Sequence, residues 1–253
     1  MDLGLRGKGV IVTGASRGIG RATALAFAAE GASLALCARG TEELDATAEA
    51  LRGGGARVVA APCDVADPAA LAAFLDRAHA ELGRVDVLVN NASAMVAGDT
   101  PGDWRRALDV DLLASVNASR QVAPWIHAQG GGAILHVSST LGGFEADLGP
   151  IAYATVKGAL VAHSKMLAVK LAPQAIRVNC IAPGAIEFAG GLWDQVRQRQ
   201  PERYQAMCET IPLGRLGSAE EVARAIVFLA SDAASWISGV ALAVDGCQHK
   251  GNY

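Results

Sequence analysis

What most constrains the fold of this chain is its alternation, from end to end, of short apolar runs with longer segments of helical periodicity. The runs are "GVIVTG" (9–14), "SLALCA" (33–38), "RVVAAPCDV" (57–65), "VDVLVNNA" (85–92), "AILHVSS" (133–139), "IRVNCIAPG" (176–184) and "ALAVDG" (241–246). They are β-branched or small and apolar on both faces, as strands covered by helices on two sides must be. Between them, segments such as "GRATALAFAAEG" (20–31) and "ALAAFLDRAHAELG" (70–83) carry apolar residues at helical spacing and end on glycine. Seven strands linked by helices predict right-handed crossovers and one α/β, doubly wound parallel sheet with helices on both faces. The 253 residues, 51% of them apolar, supply an ample core, and no linker or repeat divides them, so a single domain over 1–253 is expected. The rhythm breaks only at 187–214, which carries Trp193, Tyr204 and several arginines. An insertion after a strand's carboxyl end is either a lid over a ligand or a plain helical excursion on the surface.

Several classes of partner are excluded by composition. A net charge of −3 with both signs scattered argues against a nucleic-acid surface or a basic membrane anchor. Cys37, Cys63, Cys180, Cys208 and Cys247 are widely spaced and odd in number, which fits reduced thiols rather than a disulfide framework or a metal site. No run of eighteen apolar residues occurs, and "MDLGLRGKGV" has no signal-peptide core, so a cytoplasmic protein is expected.

Chemistry enters with "TGASRGIG" (13–20), which follows the first strand and opens the first helix. Gly14 allows a tight turn, Gly18 lets backbone approach a pyrophosphate, and Gly20 lets helix and strand pack closely, with the helix N-terminus facing negative charge. Strand, turn and helix together are the context a dinucleotide site requires. The second strand ends in "LALCARG", without the acidic residue that bonds a ribose 2′-hydroxyl until Glu42. Arg17 and Arg39 would suit a 2′-phosphate instead, which favours NADP(H) over NAD(H); alternatively both are solvated surface arginines.

Tyr153 is one of three tyrosines and Lys157 one of five lysines, and they stand four residues apart in "YATVK". Chance alone places such a pair in roughly one chain in twenty of this composition. On a helix, positions i and i+4 share a face, so both groups point into one cleft. Free tyrosine titrates near pH 10, and lowering that to neutrality takes roughly 4 kcal/mol of preferential phenolate stabilisation. An ammonium about 4 Å away, at an effective dielectric of roughly 20, supplies that order of energy. "HVSST" ends the fifth strand at the edge where ligands bind in open α/β sheets, so Ser138 or Ser139 is a candidate to hold a substrate oxygen. Strand alternation allows only one of them to reach it.

Together these residues resemble the short-chain dehydrogenase/reductase family over nearly the whole chain. The resemblance is carried by "TGASRGIG", "CDV", "NNA", "YATVK", "VNCIAPG", "IPLGRLGSAEEVARAIVFLASD" and "VDG", and among members the 3-oxoacyl-[acyl-carrier-protein] reductases and related ketone reductases look most similar. It implies a Rossmann fold, a homotetramer or homodimer, and roles by position. Tyr153 would be the acid/base, Lys157 its partner and ribose ligand, and Ser139, rather than Ser138, the carbonyl-orienting serine. Ser16 and Ile19 belong to the cofactor turn, Asp64 and Val65 would flank the adenine, and Asn90, Asn91 and Ala92 would line the nicotinamide ribose. Pro183, Gly184 and Ile186 would touch the nicotinamide. Gly142 keeps the family spacing after Ser139, and the loop from there to Tyr153 is one residue longer than usual.

Three positions depart from the family pattern. Asp111, in "LDVDLLAS", replaces an asparagine of a water-linked proton relay; its charge should tighten the pairing with Lys157, and Asn117, about 240° further round the helix, is no substitute. Ser93 and Phe188 stand where glycine and a carboxamide-binding threonine are common. The reading is an NADP(H)-dependent oxidoreductase acting on a ketone or secondary alcohol, with 3-oxoacyl thioesters, sugars, steroids or diols as candidate substrates. A non-catalytic nucleotide-binding sensor or scaffold is the rival, favoured by Asp111 and Phe188. Arg197, Arg199 and Arg203 either greet a phosphate-bearing carrier or form a solvated helix face.

Overall fold

The computed structural model describes residues 2–144 and 149–251. Strands β1 (Gly9–Thr13), β2 (Ser33–Ala38), β3 (Val58–Pro62), β4 (Val87–Asn90), β5 (Gly132–Val137), β6 (Ile176–Pro183) and β9 (Ala241–Val244) pair in the order β3-β2-β1-β4-β5-β6-β9. Every pair is parallel. Helices α1 (Gly18–Ala29), α2 (Glu42–Gly53) and α10 (Ala219–Ala230) bury Phe27, Leu44 and Ile226 against one face of the sheet. Helices α3 (Pro68–Leu82), α5 (Ala114–Ala128) and α7 (Ile151–Leu171) bury Phe74, Ile126 and Leu171 against the other. The expected seven strands and two helical layers are thus present. Two-residue strands β7 (Ile186–Glu187) and β8 (Gly217–Ser218) pair separately and are too short for periodicity to reveal. No helix among the described residues is long and apolar enough to cross a membrane.

Two features of this frame position the site. The strand order reverses between β1 and β4, and a sheet that switches direction there leaves a crevice at the carboxyl ends of its strands. Between α4 (Pro101–Ala107) and α5, residues Leu108–Leu113 are wound as a π-helix; Asp111 lies inside this wide turn and is 1% exposed.

At the opposite edge, Asp86 anchors the start of β1. Its buried carboxylate accepts Gly9 N–H at 2.8 Å and both nitrogens of Arg84 at 2.7 and 2.6 Å, with Lys8 at 3.5 Å. Burial pushes this carboxyl up, but Arg84, Gly9 and Lys8 together outweigh it and hold it below the usual carboxylate range. A depressed native value contributes stability above the unfolded value near 3.9, and that stability is lost as pH falls through the native one. Asp86→Ala should therefore cost about 2 kcal/mol at neutral pH, read as a Tm lower by roughly 4–8 °C. The gap between variant and wild type should close in acid; an unchanged Tm at neutral pH would count against this anchor.

Candidate active site

The carboxyl ends of β1, β4, β5 and β6 open into a cleft of about 620 Å³. Its walls bring together Gly14, Ser16, Arg17, Gly18, Ile19 and Gly20 of the first turn, Arg39 after β2, and Asp64 and Val65 after β3. Asn91 and Ala92 after β4, Pro183, Gly184 and Ile186 around the end of β6, and Ser138, Ser139, Tyr153 and Lys157 complete the set. A hollow of similar size, about 630 Å³, lies at the opposite edge, but Lys8, Asp86 and Arg177 in its wall are already engaged. Asp86 is paired as described, and Arg177 donates to the carbonyls of Leu229, Ala230, Ser231 and Ile237.

The first turn is built for close approach. A Cβ on Gly20 would lie 2.2 Å from the Gly14 carbonyl oxygen and 2.5 Å from Asn91 Nδ2. Helix α1 has neither a side-chain cap nor an acidic residue in its first turn, whereas α3 is capped by Asp67, α4 by Thr100 and α10 by Ser218. Its leading N–H groups are thus left for an anion at the cleft. This uncapped N-terminus, with Arg17 and Arg39 exposed on the same cleft, fits a dinucleotide phosphate chain.

Helix α7 presents Tyr153 and Lys157 from its first turns, as the i, i+4 spacing predicts. Tyr153 is half-buried, while Lys157 is 2% exposed, with Nζ 5.6 Å from the centroid of the Tyr153 ring. Nζ donates to the Val137 carbonyl at 2.9 Å and lies 3.0 Å from Asp111 Oδ1, close as an ion pair although not aligned as a hydrogen bond. Asp111 Oδ2 accepts Ala94 N–H at 2.9 Å, so this carboxylate joins the loop after β4 to the lysine. Burial pulls Lys157 down, but Asp111 and then Tyr153 outweigh it, and the ammonium is held above the ordinary lysine value. The tightened pairing expected from Asp111 is therefore direct.

Strand β5 ends at Val137, so alternation does not govern the two serines and both line the cleft. Ser138 Oγ is committed, donating to the Lys157 carbonyl at 2.8 Å. Ser139 caps the four-residue turn α6 (Thr140–Gly143), its Oγ accepting Leu141 N–H at 3.2 Å, which leaves the hydroxyl hydrogen for an acceptor in the cleft. Gly142 has φ +80°, and a Cβ there would lie 1.7 Å from the Ala154 carbonyl; only glycine lets the serine turn sit against α7 beside Tyr153. Of the loop expected to be one residue longer, residues 145–148 lie outside the described residues.

Asn90 precedes the cleft-lining Asn91, with its own side chain already engaged. It belongs to the last position of β4, where alternation turns it toward α5; its Nδ2 donates to Ser119 Oγ and to His136 Nδ1, both at 3.2 Å. His136 can accept because burial first, then His163 and Lys157, push it down to about 3 and keep it neutral. Asn91 does line the cleft, yet its amide is spent on the Thr13 and Gly14 carbonyls at 2.9 and 3.0 Å. Sequence reasoning missed Thr13, whose Oγ1 accepts N–H from Asn91 and Ala92 at 3.0 and 3.2 Å. A threonine at a strand end beside a glycine turn was the available signal. It also missed Glu43, Met95, Leu192 and Gln195, which line the cleft without belonging to any motif.

Ser93 and Phe188 are both at the cleft. The Phe188 ring lies against Gly18, where a Cβ would come within 2.7–2.9 Å of it. Beyond Phe188 the unusual segment forms α8 (Leu192–Arg199) and α9 (Pro201–Thr210), with Trp193 on the cleft wall. Arg197 pairs with Glu187 and Asp194, each at 2.8 Å, and Tyr204 Oη donates to Glu187 at 2.5 Å. Arg203 donates to Gln200 Oε1 at 3.3 Å. Arg197 is thus neutralised within its own segment, which counts against its greeting a phosphate-bearing carrier.

Comparison with known proteins gives this geometry its setting. Residues 14–249 match the family model described as enoyl-(acyl carrier protein) reductase. The chain is 35% identical over 247 residues to the 3-oxoacyl-[acyl-carrier-protein] reductase FabG of Thermotoga maritima, covering 96% of this chain and 98% of that protein. The structure of a 7α-hydroxysteroid dehydrogenase complexed with NADH and 7-oxoglycochenodeoxycholic acid superposes with a TM-score of 0.91 at 36% identity, covering 97% of this chain and 96% of that one. L-sorbose reductase from Gluconobacter frateurii, complexed with NADPH and L-sorbose, gives 0.92 at 34% identity, covering 99% of this chain and 100% of that one.

Proposed function

The chain belongs to the short-chain dehydrogenase/reductase family, and from that premise we propose that it is an NADP(H)-dependent oxidoreductase interconverting a ketone and a secondary alcohol. The observation that carries this reading is the Asp111–Lys157–Tyr153 array at the cleft, within reach of the uncapped α1 N-terminus. A bound nicotinamide would exchange hydride with the substrate carbon. In reduction, the Ser139 hydroxyl holds the carbonyl oxygen and the Tyr153 hydroxyl donates its proton to that oxygen as negative charge develops there. The Lys157 ammonium then faces the ring that has lost the proton. Asp111 keeps that ammonium charged in a buried position. In oxidation the same groups run in reverse.

Arg17 and Arg39 carry the preference for NADP(H): both are exposed at the cleft, and neither forms an ion pair among the described residues. Charge-assisted hydrogen bonds are worth roughly 1.5–3 kcal/mol each, or about 10- to 100-fold in affinity. Arg39→Ala and Arg17→Ala should each weaken NADPH by at least about ten-fold while leaving NADH within a few-fold, measured by fluorescence titration. Glu43 lines the same wall and favours the second reading, a ribose 2′-hydroxyl and hence NAD(H). Equal losses for both nucleotides would support that alternative.

The α8–α9 segment serves as the substrate lid in this reading, contributing Leu192, Trp193 and Gln195 to the cleft. Met166 and Val169 on α7 and Leu242 on edge strand β9 are exposed apolar groups suited to a homotetramer or homodimer. Five cysteines without a disulfide suit a cytoplasmic location.

A further inference from the structure

Two thiols outside the catalytic array lie beneath the cofactor cleft. Cys37 belongs to β2 and Cys63 follows β3 by one residue, with Cys37 opposite Ala61 in register and Cys63 N–H bonded to the Ala38 carbonyl at 2.9 Å. Both side chains pack on the face covered by α3, so they are diagonal neighbours on adjacent strands. Cys37 is wholly buried, whereas Cys63 is 5% exposed and lines the cleft beside Asp64 and Val65. The Cys37 carbonyl accepts Ala15 N–H of the first turn at 3.0 Å. The pair thus links the glycine turn to the Asp64 wall.

We propose that Cys37 and Cys63 form a reversible disulfide that weakens nucleotide binding, with a low-molecular-weight disulfide as oxidant. The Cys63 thiolate, the sulfur open to the cleft, attacks one sulfur of R–S–S–R, and R–S⁻ leaves and takes a proton. Cys37 then gives up its proton and attacks the Cys63 sulfur of the mixed disulfide, expelling the second R–S⁻. Two protein thiols are oxidised and one R–S–S–R is reduced to two R–SH. Access assigns the roles: Cys63 reaches the cleft and its thiol is held below the ordinary value, whereas Cys37 is wholly buried and held well above it. Diagonal cysteines start farther apart than directly opposed ones, so bond formation must draw the ends of β2 and β3 together. Gly14 and Asp64 move with them, and a bound nucleotide covers Cys63 and slows the reaction.

The test uses the full chain carrying Cys247→Ser, which removes the exposed thiol. It is incubated with oxidised glutathione, with and without saturating NADPH, then mapped by non-reducing peptide mass spectrometry and titrated with NADPH. A Cys37–Cys63 cross-linked peptide, protected by NADPH, with affinity lowered at least about ten-fold and restored by a thiol reductant, is expected. Cys37→Ala should abolish the cross-link and leave only a glutathione adduct on Cys63. Absence of the cross-linked peptide overturns the proposal, as does a cross-link that leaves affinity unchanged. The loss of affinity rests on the proposed cofactor reading, but the cross-link is mapped without cofactor. A reduced protein that binds neither nucleotide therefore overturns the cofactor reading alone.

Discussion

Asp111→Ala is expected to lower stability by about 3–5 kcal/mol, because it strands a buried ammonium without its counter-ion. Lys157 would keep only the Val137 carbonyl, and Ala94 N–H would lose its acceptor. With the carboxylate gone, burial dominates and drives Lys157 toward its neutral form, so turnover should fall with stability. The stability loss corresponds to a Tm lower by roughly 6–20 °C for a chain of this size.

A companion variant separates the two effects. Asp111→Ala combined with Lys157→Met removes both charges, and most of the lost Tm should return while activity stays absent. Asp111→Asn should fall between, since its amide oxygen can still accept Ala94 N–H. The pH dependence follows from the raised Lys157 value. Its contribution is complete below the unfolded lysine value near 10.4 and is lost as pH rises through the native one. In Asp111→Ala, where burial depresses Lys157, the deficit should be widest near neutrality and shrink as pH rises through the alkaline range toward and beyond the unfolded lysine value. A variant with wild-type Tm would show that the ion pair stabilises nothing.

The seven strands were legible because a buried parallel strand must be apolar on both faces, and Tyr153 with Lys157 because helical spacing alone puts them on one side. "NNA" reads as one motif, yet the strand ends between its asparagines, which the sequence does not mark. Alternation sends Asn90 to His136, and the chain beyond it bends Asn91 back to Thr13 and Gly14. Ser138 and Ser139 likewise stand past a strand end, since β5 stops at Val137, so both line the cleft where alternation allowed one. The π-turn that encloses Asp111 left no periodic trace. The neutralisation of Arg197 by Glu187 and Asp194 is a tertiary fact that composition does not carry.

Every catalytic role proposed here converges on one hydroxyl. Tyr153→Phe keeps the ring that packs beside Lys157 and removes only the oxygen that gives or takes the proton. Positioned acid–base groups contribute about 10²- to 10⁴-fold, and with Ser139 and the nucleotide wall intact the loss should sit inside that range. The deciding measurement is the single-turnover rate of NADPH oxidation by a ketone that the wild type reduces. It is made on both proteins, with NADPH affinity determined on the same samples. The account predicts a rate lower by about 10³-fold with affinity within a few-fold of wild type. A Tyr153→Phe protein that binds NADPH and turns over within about ten-fold of wild type would contradict it.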